Sequence, residues 1–262
     1  MISIQDVIDE ITKPVKKIVN TVDGLLYGEV NESITGIIVT FVASQYVLKK
    51  STELDANLII THEGIFYSHH AHNPLQDYKS FIEKQRFIKD SNIAIYRLHD
   101  YIHHYQPDII MLGLLKSLEL DKNNTKHFDT SAIVTVPTTT VGQMANQIKQ
   151  KLEIPYVRII GDIEMTCSKI GFLVGYRGGS NLAIPLFENE GVELIIAGEG
   201  PEWETPEYVR DANEQGRNKA LILIGHAASE EPGMEYLVEL LKEKFNRLPV
   251  HFVKEKPIIN VF

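Results

Sequence analysis

Short apolar runs recur along the chain, each followed by a stretch whose apolar positions fall at helical spacing. Residues 36–42 (GIIVTFV), 57–64 (NLIITHEG) and 92–100 (NIAIYRLHD) read as buried strands, and the last two end in polar residues. Residues 43–56, 75–90 and 108–120 carry helical periodicity. The pattern restarts with SAIVTVPTT at residues 131–139, and TTVGQMANQIKQKLEI then opens on threonine, as a capped helix does. Further strands are predicted at YVRIIGD, KIGFLVGY, VELIIAGE and ALILIGHAAS. Helices are predicted at GGSNLAIPLFENEG, TPEYVRDANEQG and the strongly amphipathic EPGMEYLVELLKEKF, before a strand-like end, HFVKEKPIINVF. Such alternation predicts an α/β fold, with largely parallel sheets covered by helices. The two halves look alike, and the polar stretch DKNNTKHFDTS (residues 121–131) is the expected boundary between halves 1–125 and 126–262.

Composition narrows the function classes. The chain has 262 residues, 44% hydrophobic and 23% charged, enough for one large domain or two small ones with real cores. With 35 acidic against 26 basic side chains the net charge is -9, which makes nucleic acid and anionic membrane poor partners. No run of 18 apolar residues suggests a membrane span. The N-terminal segment places acids before bases without a long apolar core, so it does not read as a signal peptide. One cysteine, Cys167, excludes an intrachain disulfide; it is expected to be an inert thiol, and a cytoplasmic location is expected.

The candidate chemistry lies at strand ends. Seven of the ten histidines fall between residues 62 and 104. His62 and Glu63 follow one strand, His99 and Asp100 another with His103 close behind, Glu199 a third, and His226 with Glu230 a fourth. Ligands of open α/β sheets gather at the C-terminal strand ends. Imidazole and carboxylate suit Zn, Fe, Mn, Ni or Co. Two such ions about 3.5–4 Å apart share a water and lower its pKa. His62, Glu63, His99, Asp100, His103, His226 and Glu230 are the candidate ligands. Glu63 or His103 would be the catalytic proton shuttle if not bound to metal. His226 and Glu230 share a helix face if the helix begins at His226. Gly178-Gly179-Ser180 is either a tight turn or an anion site helped by Arg177. Arg97 is expected to bind an anion or pair with Asp100, and Glu199 to support a metal ligand or act as a base. Trp203 either lines a pocket or interface or packs on the adjacent helix. His69, His70 and His72 are either an accessory cluster or solvent-facing.

The ordered segments NLIITHEG, IYRLHD, VGYRGGS, LIIAGE and IGHAASEEPGMEYLVELL resemble the NIF-three-like family from about residue 30 to the end. That resemblance implies two similar α/β halves with mixed, largely parallel sheets and a metal site between them. It also implies two divalent metal ions, assembly with itself into a homohexamer, and kinship with proteins often described as GTP cyclohydrolase I type 2. His226 and Glu230 match the family's metal-binding His and acid. Two positions depart from the pattern: Glu63 stands where a second histidine is usual, and His103 where an Asp four residues after the first His is usual, with Asp100 adjacent to His99. The function so implied is hydrolysis of a C–N bond in a heterocycle or amide, with a nucleotide or small heterocycle as substrate. The alternative is a non-catalytic metal-binding ring protein: a store, chaperone or scaffold.

Overall fold

A computed structural model describes residues 1–69 and 75–261. In chain order the elements begin with α1 (Ile4–Thr12), β1 (Gly24–Tyr27), β2 (Ile37–Thr40), α2 (Gln45–Glu53) and β3 (Leu58–Thr61). Then come α3 (Lys79–Asp90), β4 (Ala94–Arg97), the single turn α4 (Asp100–His103) and α5 (Ile109–Ser117). They continue with β5 (Asn124–His127), β6 (Ala132–Thr140), α6 (Val141–Leu152), β7 (Arg158–Ile160), β8 (Thr166–Leu173) and α7 (Ser180–Asn189). The last are β9 (Leu194–Ala197), α8 (Thr205–Glu214), β10 (Ala220–Leu223), α9 (His226–Lys244) and β11 (Val250–Phe252). The chain divides into two compact units, Met1–Ile109 with Met234–Asn260, and Ile110–Gly233.

The first unit is built on a five-stranded sheet in the order β1-β4-β3-β2-β11. Its strands pair in parallel except β1, which runs antiparallel along β4 at the edge. Every residue of β2, β3 and β4 is buried. That is why these strands read as continuous apolar runs rather than alternating ones. One sheet face presents Ile38, Ile59 and Ile95 to Val47 and Leu48 of α2 and Ile88 of α3. The register pairs Thr40 with Thr61 and Thr61 with Arg97. The residues after β3 and β4 therefore emerge side by side.

The second unit holds a six-stranded sheet in the order β5-β6-β8-β9-β10-β7. Here β8, β9 and β10 are mutually parallel, while β5, β6 and β7 add antiparallel pairs toward the edges. Leu173, Ala197 and Leu223 end the three parallel strands at one level. Leu186 and Phe187 of α7 and Val209 of α8 close the core against Ile133, Ile195 and Leu221. Helix α6 carries the expected cap: Thr140 accepts from the Gln143 N–H while the Gln143 side chain returns to the Thr140 backbone. Among the described residues no helix is long and apolar enough to cross a membrane.

Candidate metal centre

Three imidazoles converge in the first unit. His62, directly after β3, is fully buried, and its Nδ1 donates to the Leu98 carbonyl at 3.1 Å. A carbonyl only accepts, so the proton sits on Nδ1 and Nε2 is the nitrogen able to bind a cation. His103 ends α4 and is held the same way, with Nδ1 2.8 Å from the carboxylate of buried Asp108. His99 precedes α4 and places Nδ1 3.0 Å from Asp100 Oδ1. The ring of His62 stacks on His99 at 4.6 Å between centroids and meets His103 edge-on at 5.1 Å. One nitrogen from each ring lies within 4.8 Å of the other two. Histidine that binds metal characteristically gives its other N–H to a carbonyl or carboxylate. All three rings meet that condition, so the donor set fits a divalent cation.

The turn bearing His99 and His103 is fixed from the N-terminal loop. Asp23 accepts the backbone N–H groups of His99 and Asp100 on Oδ1, each at 2.8 Å, and that of Tyr101 on Oδ2 at 2.9 Å. A carboxylate at this end satisfies the otherwise unpartnered N–H groups of the helical turn. Asp100 faces the same loop, accepting from Thr21 Oγ1 at 2.8 Å and the Val22 N–H at 3.0 Å. Burial opposes its ionisation, but the hydrogen bonds from Val22, Thr21 and His99 prevail and hold it at about 2.

Glu63 sits at the rim of this cluster. Its Oε2 accepts from Arg97 Nη2 at 3.1 Å, and its Oε1 lies 3.5 Å from His99 Nε2. Burial again opposes ionisation, yet His99, His62 and Arg97 together pull Glu63 down to about 2. Arg97 is thus paired with Glu63, and it also donates to the backbone carbonyls of His69 at 2.6 Å and His62 at 3.3 Å. His69 Nδ1 stands 3.1 Å from Arg97 Nη2 and 3.4 Å from Glu63 Oε2. His70 and His72 lie outside the described residues.

The second unit carries a His–carboxylate group of its own. His226 opens α9, so Glu230 lies one turn on, with its Oε2 3.1 Å from His226 Nε2. On the other side His226 Nδ1 is 2.8 Å from Glu199 Oε1. Burial lowers the affinity of His226 for a proton, but Glu230 and Glu199 outweigh it and raise the group to about 9. Gly175, beyond β8, has φ +60°, and a Cβ there would overlap Glu230 Oε1 and come within 3.1 Å of His226 Nε2. The absent side chain leaves space beside the two donors.

The remaining candidates fall into place within the second unit. Ser180 opens α7 by donating its N–H and hydroxyl to Glu204 Oε2 at 2.7 and 2.9 Å, so the anion at this helix end is the chain's own carboxylate. Gly178 is needed because a Cβ would come within 2.7 Å of the Glu199 carbonyl. Trp203 is 76% exposed rather than packed on α8. Cys167 is buried, and burial with the nearby Glu193 raises its thiol to about 11. Sequence reasoning did not single out Asp23 or Asp108, whose roles depend on turns, and left His69 open.

The comparisons with known proteins agree with this architecture. The chain is 26% identical over 245 residues to a "GTP cyclohydrolase 1 type 2 homolog" of Clostridium perfringens, covering 89% of the chain and 87% of that protein. It is 24% identical over 238 residues to a protein of the same name from Clostridium acetobutylicum, covering 87% and 84%. Among solved structures, Staphylococcus aureus protein SA1388 superposes with a TM-score of 0.77 at 18% identity, covering 100% of this chain and 99% of that one. A Bacillus cereus protein related to NIF3 gives 0.75 at 14% identity, with coverage of 100% and 99%. The family profile described as Duf34/NIF3 (NGG1p interacting factor 3) matches residues 2–257, and the chain belongs to that family.

Proposed function

We propose that the protein is a divalent-metal-dependent hydrolase acting on a C–N bond of a heterocycle or amide, with two cations, one on the ligand set of each unit. His62, His99 and His103 hold the first, and His226 and Glu230 hold the second. The observation that carries this reading is the set of three imidazoles whose Nδ1 atoms are all tied to a carbonyl or carboxylate. A bound divalent cation would supply Lewis-acid polarisation and lower the pKa of a water. The chain's own residues then do the rest. Asp100 and Asp108 orient His99 and His103. Glu199 does the same for His226. Glu63, ionised down to about pH 2, is suited to serve as a charged donor rather than as a proton acceptor near neutrality. His103, anchored by Asp108, is assigned to ligation for the same geometric reason. The names of the two clostridial relatives point to a purine nucleotide as the first substrate to test. Assembly into a ring of six is part of the proposal, by kinship with the family.

The test is elemental analysis of protein purified without added metal, paired with a product screen over GTP, other nucleotides and cyclic amides. Wild-type protein is expected to retain divalent metal and to turn over at least one substrate. His62→Ala and His226→Ala, which remove proposed ligands outright, are each expected to lose metal and to lose more turnover than the roughly 10–100-fold typical of removing a ligand's hydrogen-bond partner. Full activity in metal-free protein would overturn the proposal. Tight metal without product across the screen would favour a store or scaffold instead.

A further inference from the structure

We infer that Glu63, His69 and His99 form a transit station through which a divalent cation reaches the three-imidazole site, His99 being common to both sets. This rests on the metal-binding reading above and concerns how the ion arrives. Each of Glu63, His69 and His99 offers a donor atom within 4.8 Å of the others, just as His62, His99 and His103 do. The two sets are graded in exposure. The His69 side chain is 43% exposed, Glu63 18% and His99 17%, whereas His103 is at 6% and His62 is fully buried. An ion entering from solvent along this series meets His69 and Glu63 first.

Geometry makes the two positions successive. The Nδ1 of His99 is engaged by Asp100, so this ring has one nitrogen to give and serves one cation at a time. The 3.5 Å between Glu63 Oε1 and His99 Nε2 matches the edge, roughly 3.4 Å, of a tetrahedron with bonds of about 2.1 Å. An ion therefore fits the outer position without rearrangement of these two groups.

Electrostatics makes the outer position weak. The Arg97 guanidinium lies 3.1 Å from both Glu63 Oε2 and His69 Nδ1. It compensates the carboxylate and repels a second cation beside it. At the inner set the partners of the three Nδ1 atoms are the Leu98 carbonyl and the carboxylates of Asp100 and Asp108, which compensate a cation rather than repel it. A cation is drawn to the rim by Glu63 and then held more tightly inside.

A transit station speeds entry and exit alike and leaves the equilibrium where it was. Metal-free full-length protein is mixed with Co(II), and the visible absorption of the bound ion is followed by stopped flow; release is followed into excess chelator. His69→Ala, with His69→Gln as a second variant that keeps bulk, is expected to slow both uptake and release about tenfold. The final spectrum and the dissociation constant should match wild type. Unchanged rates would overturn the inference, and so would a weakened affinity or an altered spectrum, which would place His69 in the resident site. If wild-type protein took up no Co(II), the metal-dependent function itself would fail.

Discussion

Lys84 shows how a single buried charge shapes the stability of the first unit. It projects from α3 at 5% exposure, donates to the Ile65 carbonyl at 2.6 Å, and lies near the faces of Phe66 and Tyr67. Burial, only partly offset by Glu255, lowers its pKa from 10.5 to about 8. Between those two values the folded protein has released a proton that the unfolded chain still holds, so this group makes stability rise with pH across that window. Below about pH 8 the cost of burying the ammonium is present in full. In urea unfolding at pH 7 and pH 10.5, the stability difference between Lys84→Met and wild type should shift by about 3 kcal/mol in favour of wild type at the higher pH. A difference that stays constant would show that Lys84 titrates normally. At this scale the sequence pointed to the candidate histidines, because His62, His99 and His226 each follow an apolar run. It said nothing of the partners. Asp108 binds the ring of His103 five residues earlier, and Asp23 caps a turn more than 70 residues later. Such pairings follow from loop paths that periodicity does not encode.

Among the elements, the fully buried strands were legible, while an exposed strand and a single helical turn of the same length were not. β2, β3 and β4 read plainly because both faces of each are buried. β5 sits inside the segment read as a polar boundary; its residues are mostly exposed, so no alternation survives. α4 is a single turn, too short for any periodicity. α1 opens on a full capping box of Ser3 and Asp6, a signal that the search for apolar runs does not register. The loop after β8 carries the most demanding element-scale requirement. Gly175→Ala places a methyl group at φ +60° and against Glu230. It is expected to cost about 1–3 kcal/mol of stability and to weaken metal binding at His226 and Glu230, read by urea unfolding and Co(II) titration. Wild-type values in both measurements would mean that the loop relaxes at no cost.

For the molecule as a whole, the α/β class and two-part organisation followed from strand–helix alternation, but the division of the chain follows contacts rather than composition. The first unit is discontinuous because β11 pairs with β2, and Thr40 Oγ1 donates to the Val253 carbonyl 213 residues away. The unit boundaries fall at 109/110 and 233/234, inside or at the start of α5 and α9, where no linker composition marks them. The polar stretch at 121–131 lies within the second unit. Metal binding should be felt across the fold, since any ligand specific to the native state stabilises it by mass action. Zinc at 100 times its dissociation constant should add about 2.7 kcal/mol, and at this chain length that raises the melting temperature by roughly 5–10 °C. Calorimetry with and without zinc reads this directly, and an unmoved transition would mean the native fold does not bind it preferentially.

The anchoring of His62, His99 and His103 at Nδ1 carries a consequence for ion choice. Rings tethered in this way cannot swivel to accommodate a cation of a different radius. Discrimination then rests on bond length and donor softness. The proposed site would therefore favour ions content with nitrogen at about 2.0–2.1 Å over calcium, which demands six to eight oxygens at longer range.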